Sequence, residues 1–150
     1  MRVREVMSAG VVTIDAASSG QEAVERMFQH KVRHLPITGS DGQLVGIVTD
    51  RDLRHHLFAH GAFEHTDRDV GSLLRSVAVR DIMSSPVIAV APDDALEVAA
   101  RLMLEDKIGS LPVVDGGRPV GIVTETDLLR QICRADTCSP DVEYIVVSYP

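Results

Sequence analysis

Two threonine–aspartate pairs are the residues of this chain best suited to chemistry. Thr49 and Asp52 stand three positions apart, and Thr124 and Asp127 repeat the spacing. Each pair follows an apolar run, Val45-Gly46-Ile47-Val48 or Val120-Gly121-Ile122-Val123, and precedes residues that read as a helix. A threonine where a strand meets a helix lies beside the free N–H groups of the helix start. Those groups and the helix dipole attract phosphate. The threonine hydroxyl adds a donor, and the aspartate is an acceptor-only group suited to a ribose diol. Gly46 and Gly121 let a ligand approach the strand backbone. Thr-x-x-Asp before an apolar helix is also a capping signature. Capping and ligand binding are both open at this point, and the two can coexist.

Charge around the two pairs differs. Arg33 and His34 precede Leu35-Pro36 and can reach a phosphate held at Thr49 and Asp52, and Arg51 is close in sequence. Charge-assisted contacts to phosphate are among the stronger hydrogen bonds. The corresponding positions around Thr124 and Asp127 hold Gly109, Ser110 and Thr126. The first site is therefore expected to prefer more highly charged ligands, and the second to take a less charged one or stay empty. Arg33 can equally be a surface charge paired with an acid.

Other chemistry finds less support. His55, His56, His60 and His65 cluster in sequence, and His56 and His60 have the i, i+4 spacing that can hold a metal on a helix face. No further ligand completes a familiar set, so solvated or capping histidines are expected and no metal site is assigned. Cys133 and Cys138 are too few for a disulfide framework and read as reduced thiols. No nucleophile elbow, ordered Ser-His-Asp set, Walker loop or dinucleotide glycine fingerprint is present, so no catalytic residue is assigned and the chain is not expected to be an enzyme.

These pairs must be positioned by elements that the chain contains twice. Aligning residues 3–39 on 79–115 gives ten identities at an offset of 76. After one residue is lost in a loop, residues 45–53 match 120–128 at seven of nine positions. Each unit reads as strand, helix, strand, strand, helix. Val11–Ile14 and Val87–Val90 are β-branched and bounded by turn residues. Ser19-Gly20-Gln21-Glu22 and Asp94-Ala95-Leu96-Glu97 fit capping boxes. The spacing puts Ala23, Val24, Met27 and Phe28 on one helix face, and Ala99, Ala100, Met103 and Leu104 on its counterpart. Leu35–Thr38 and Leu44–Thr49 form an expected hairpin, and a last helix starts at Asp50 carrying Leu53, Leu57 and Phe58.

The units divide the chain into 1–58, a connector 59–78, 79–133 and a tail 134–150. Leu73, Leu74 and Val77 of the connector are expected to dock on the core, and Val142–Val147 to form an added strand. A unit of this size buries little surface alone, so the two are expected to share one pseudo-symmetric module.

Composition bounds the function. The chain has 150 residues, 45% of them hydrophobic, and 15 Lys+Arg against 22 Asp+Glu give a net charge of −7. A general nucleic-acid binder has the opposite balance, and 3% aromatic content offers few stacking platforms. No apolar run reaches the ~18–20 residues of a membrane helix, and no apolar stretch follows the first residues as in a signal peptide. The expectation is a cytoplasmic protein that binds neither membrane nor nucleic acid.

Two units of this order, each ending in Gly-apolar-x-Thr-x-x-Asp, resemble a tandem pair of cystathionine-β-synthase (CBS) domains, a Bateman module, over about residues 3–57 and 79–132. The Met-Ser near each unit's start (Met7-Ser8, Met83-Ser84) and the Leu-Pro before each hairpin add to the resemblance. It implies an α/β (α+β) fold of two pseudo-symmetric β-α-β-β-α units packed sheet to sheet. It also implies a regulatory, energy- or metabolite-sensing role. An adenosine ligand (AMP, ADP, ATP, S-adenosylmethionine or NAD(H)) would sit in the cleft between units, with the Thr and Asp holding phosphate and ribose.

The adenine would lie near the first strand and pre-proline segment of the other unit. The first site then comprises Arg33, His34, Gly46, Thr49, Arg51, Asp52, Val87, Ile88 and Ser110. The second comprises Val11, Val12, Val32, Gly109, Ser110, Gly121, Thr124 and Asp127. The resemblance further implies a homodimer, a disk of four units, for which the faces around Leu53/Leu57 and Leu128/Leu129/Ile132 are candidates, and a regulated protein partner. The alternative is a structural dimerisation or interaction module whose ligand cleft is vestigial.

Overall fold

The computed structural model describes residues 1–60, 69–135 and 147. The elements are β1 (Ser8–Ala9), β2 (Ile14–Asp15), α1 (Gly20–His30), β3 (His34–Thr38), β4 (Leu44–Thr49), α2 (Asp50–Ala59), α3 (Val70–Ser76), α4 (Leu96–Asp106), β5 (Ser110–Asp115), β6 (Arg118–Thr124) and α5 (Glu125–Ala135). They form a mixed α+β structure around two three-stranded sheets, ordered β2-β3-β4 and β1-β6-β5. Both hairpins form as expected. β3 and β4 pair antiparallel, as do β5 and β6, and Gly116 and Gly117 supply the positive φ values of the second turn.

The opening residues of each repeat pack into the other unit. β1 pairs with β6, Ser8 opposite Ile122 and Ala9 opposite Gly121. Reciprocally, Ser84 and Ile47 exchange backbone hydrogen bonds of 2.9 and 3.2 Å. The exchange continues at the helix starts. Gly20, first in α1, donates its N–H to the Val77 carbonyl, and Leu96, first in α4, donates to the Met1 carbonyl. The cores are exchanged as well. Val79 is buried with Ile14, Leu35, Ile37 and Val48 of the first unit, and Val3 with Leu111, Val113 and Val123 of the second. Fully burying side chains of this kind stabilises by about 1.5–3 kcal/mol each, so neither core is complete without the opening residues of the other repeat.

Several local expectations are corrected. The strand expected over Val11–Ile14 is reduced to Ile14–Asp15, and that over Val87–Val90 to a bridge between Val90 and Val113. The Thr13 carbonyl is taken by Arg26 Nη1 (2.7 Å) rather than by a strand ladder. Ser19 and Glu22 make the expected capping box on α1, but Asp94 makes none on α4. Its carboxylate accepts the Ala91 N–H (2.7 Å) and closes a turn, while the Met1 carbonyl satisfies the helix start.

The helix faces are narrower than expected. Ala23, Met27, Ala99 and Met103 are buried, but Phe28 is 85% exposed and Leu104 79%, and Val24 also lies out. They sit one residue, about 100°, round from the buried stripe. The connector contains α3, which the sequence reading lacked, and Leu74 enters the first core as expected. The tail strand Val142–Val147, His65 and Cys138 lie outside the described residues, apart from Val147, which is exposed. No helix among the described residues is long and apolar enough to cross a membrane.

Candidate nucleotide-binding clefts

Both Thr–Asp pairs form closed reciprocal boxes. Asp52 Oδ2 accepts the Thr49 N–H (2.8 Å) and the Thr49 hydroxyl (3.0 Å), and the Asp52 N–H donates back to Thr49 Oγ1 (3.2 Å). Asp127 Oδ2 likewise accepts the Thr124 N–H (3.0 Å) and hydroxyl (2.7 Å), with Asp127 N–H to Thr124 Oγ1 at 3.3 Å. The capping role read from the spacing is therefore present at both helix starts.

The hairpins bring the remaining residues to these starts. His34 lies directly opposite Thr49 in the β3–β4 ladder, and Ser110 opposite Thr124 in β5–β6. Directly opposed residues of an antiparallel pair face the same side of the sheet. The Asp50 N–H donates to the Arg33 carbonyl (3.1 Å) and the Glu125 N–H to the Gly109 carbonyl (3.0 Å), fastening each pre-strand segment to its helix. Lys31 and Lys107, both at φ 54, end α1 and α4 in the left-handed conformation that starts these segments. Arg33, His34, Thr49 and Asp52 thus gather at one helix start, and Gly109, Ser110, Thr124 and Asp127 at the other.

The placement of the other expected residues is more varied. Arg51 is exposed on the first turn of α2. Val87 and Ile88 follow Ser84 and Ser85, which bond to Ile47 and Val45 of β4, so this segment leaves the edge of the first sheet. Val11 and Val12 leave β1 at the edge of the second sheet, and Val12 and Val32 pack on the first core. The expected reason for Gly46 is corrected. A Cβ there would run into Met83 Sδ and lie 3.0 Å from the Ser84 carbonyl. At Gly121 it would lie 2.6 Å from Met7 Sδ and 3.0 Å from the Ser8 carbonyl. The close approach at both glycines is made by the other unit's Met-Ser.

The electrostatics of the first cleft centre on His34. Burial, then the Arg33 guanidinium, push its imidazole below the ordinary value of 6.5, against the opposing pull of Asp50, Asp52 and Glu125. The unfolded chain then takes up a proton more readily than the folded one. Stability from this group is complete above about pH 6.5 and is lost as pH falls through that value toward the lower folded one. The midpoint of thermal unfolding is expected to fall between pH 7.5 and 5.5, and to fall less in His34→Gln. An unchanged pH slope in that variant would remove His34 from this role. His56 is shifted the same way by burial and by His60 and accounts for part of the remaining slope.

Asp52 also lines an open cavity with His55, His56, His60, Asp81 and Ile82. The His56 and His60 rings stand 4.2 Å apart, but among the described residues no three ligating side chains are arranged to hold a metal. Three features escaped the sequence reading. Glu125 approaches Gly109 and acts on His34 across the unit boundary. Asp81 faces α2. Arg130 donates to Asp127 Oδ1 at 3.1 Å, a contact signalled by its i, i+3 spacing.

The model of the CBS domain family matches residues 3–59 and 79–134. A CBS domain-containing protein of Dictyostelium discoideum is 34% identical over 129 residues, covering 85% of this chain and 88% of that protein. Other curated relatives are longer. The chain spans 24% of a homoserine O-acetyltransferase of Methanohalobium evestigatum, which is 34% identical over 87% of the chain. Among solved structures, the CBS domain pair of protein MJ0100 in complex with 5′-methylthioadenosine and S-adenosylmethionine superimposes with a TM-score of 0.78 at 28% identity, covering 91% of this chain and 98% of that one. CBSX2 in complex with AMP gives 0.75 at 29%, covering 89% and 97%.

Proposed function

Because the chain belongs to the CBS-domain family, as a tandem pair of its units, we propose that it is a regulatory module that binds an adenosine-containing ligand between those units and passes the bound state to a partner protein. The observation that carries this reading is the first box. Asp52 turns one carboxylate oxygen to Thr49 and leaves Oδ1 without a hydrogen bond from the described residues, beside the helix start that Arg33 and His34 share. That combination suits a ribose diol and a phosphate. The adenosine ligands of the MJ0100 pair and of CBSX2 support the same ligand class. The chain's role is regulatory rather than catalytic, and a ligand exerts it by binding the partner-competent arrangement with different affinity.

A thermal-shift panel of AMP, ADP, ATP, S-adenosylmethionine and NADH tests this. At about a hundred times its Kd, a ligand stabilises the fold by about 2.7 kcal/mol, which is several degrees for a chain of this size. A shift with at least one member is expected. A well-folded protein that no member shifts at millimolar concentration overturns the reading.

A second reading, an interaction module with a vestigial cleft, is favoured by the fact that both boxes are closed as helix caps. Dimerisation belongs to either reading. Leu53 is buried in the first core and is withdrawn as a contact, whereas Leu129 and Ile132 stand exposed on α5. A homodimer through that face predicts that Leu129→Asp shifts the mass measured by light scattering from two chains to one.

A further inference from the structure

The two boxes differ in how much acceptor capacity they retain. A carboxylate offers about four lone-pair positions, two on each oxygen. In both boxes Oδ2 already accepts two donors, from the threonine N–H and hydroxyl. Asp52 Oδ1 accepts none from the described residues, so both hydroxyls of a ribose diol can bond to it. Asp127 Oδ1 accepts Arg130 Nη1 at 3.1 Å, which leaves one position. A diol can then bind fully only by displacing the guanidinium.

That displacement is opposed by burial. The Asp127 side chain is 10% exposed while Arg130 is 64% exposed. Removing the guanidinium strips the near-buried carboxylate of its only ion pair among the described residues and leaves Oδ1 to find another donor. One helix turn past the first box, the matching position holds His55, which makes no hydrogen bond or ion pair to Asp52 among the described residues. The second cleft also lacks the counterparts of Arg33, His34 and Arg51 that would draw a phosphate in.

From this we infer that Arg130 decides which cleft takes the ligand: by occupying the Asp127 carboxylate it excludes the ribose diol from the second cleft and leaves the first as the single working site. The inference rests on the adenosine-binding reading above and specifies its stoichiometry.

Equilibrium dialysis with two probes tests it on the full chain. AMP counts the sites of the unaltered protein, and one equivalent is expected, lost in Asp52→Ala. 5′-Methylthioadenosine carries no phosphate, so a change in positive charge does not by itself alter its attraction. In Asp52→Ala it is expected to show no measurable uptake. Asp52→Ala combined with Arg130→Met is expected to take up one equivalent, at least tenfold tighter than Asp52→Ala alone, and adding Asp127→Ala to abolish it. Arg130→Met keeps the aliphatic stem on an exposed helix position, and its thermal midpoint confirms folding.

Full uptake by Asp52→Ala with Arg130 in place overturns the inference, as does no gain on removing Arg130. In either case AMP binding that depends on Asp52 leaves the adenosine reading standing. If no variant binds either probe, both fall together.

Discussion

Asp52→Ala is expected to weaken adenosine-ligand binding at least a hundredfold. Two hydroxyl donors to an ionised carboxylate contribute about 1.5–3 kcal/mol each, and 1.4 kcal/mol is a factor of ten in Kd. The same substitution removes half of the capping box on α2, the acceptance of the Thr49 N–H and hydroxyl by Asp52, while the N–H of residue 52 still donates to Thr49 Oγ1; a lost hydrogen bond to a charged group costs about 1.5–3 kcal/mol at most. Asp52→Asn separates the two effects. Its amide oxygen can still accept from Thr49, but it offers a ribose an N–H group where Oδ1 stood. Calorimetric titration with AMP, paired with thermal unfolding, should find binding lost in both variants and the midpoint lowered mainly in Asp52→Ala. Retained affinity in both would place the ribose elsewhere.

Gly46→Val is expected to destabilise the chain by about 1–3 kcal/mol through overpacking, a fall of about 2–4 °C in Tm per kcal/mol. The added side chain meets Met83 Sδ and the Ser84 carbonyl. These belong to the segment by which the second repeat joins the first sheet, so the damage falls on the junction between units. Combining Gly46→Val with Met83→Ala should recover part of the loss, because a thioether can be removed while the Ser84 carbonyl, 3.0 Å from a Cβ at this position, stays. Urea unfolding of the two variants measures both. A Gly46→Val protein as stable as the original would contradict this packing.

The repeat explains what was legible. Hairpins, helix starts and the Thr–Asp boxes are written in neighbouring residues, so period, capping spacing and turn glycines find them without knowledge of the rest of the fold. The exchange of opening segments was not legible. Val3 is buried with residues of the second repeat and Val79 with residues of the first, and nothing in the local pattern of Val-Arg-Glu or Val-Arg-Asp says whose sheet they join. The shortened first strands have the same cause. β-Branched composition at Val11–Ile14 and Val87–Val90 fits a strand, but a ladder needs a partner edge, and only Ile14, Asp15 and Val90 reach one.

The site was legible as chemistry and less so as geometry. Thr49, Asp52, Thr124 and Asp127 were visible because the same spacing occurs twice at matched places. Gly46 and Gly121 were visible but their reason was not, since the sulfur that fills each approach comes from the other repeat. Phe28 and Leu104 misled because a helix face read at i, i+1 and i+4 is wider than the stripe a neighbour covers.

An adenosine ligand at the Thr49–Asp52 helix start, between the two units, would touch the backbone of both. The most direct measurement is the set of backbone amide chemical shifts of the labelled chain as AMP is added. Saturable changes are expected at Arg33, His34 and residues 49–52, with smaller ones at Val87 and Ile88 and little change at Thr124 and Asp127. No saturable change, or changes that leave residues 33–34 and 49–52 unmoved, would contradict it.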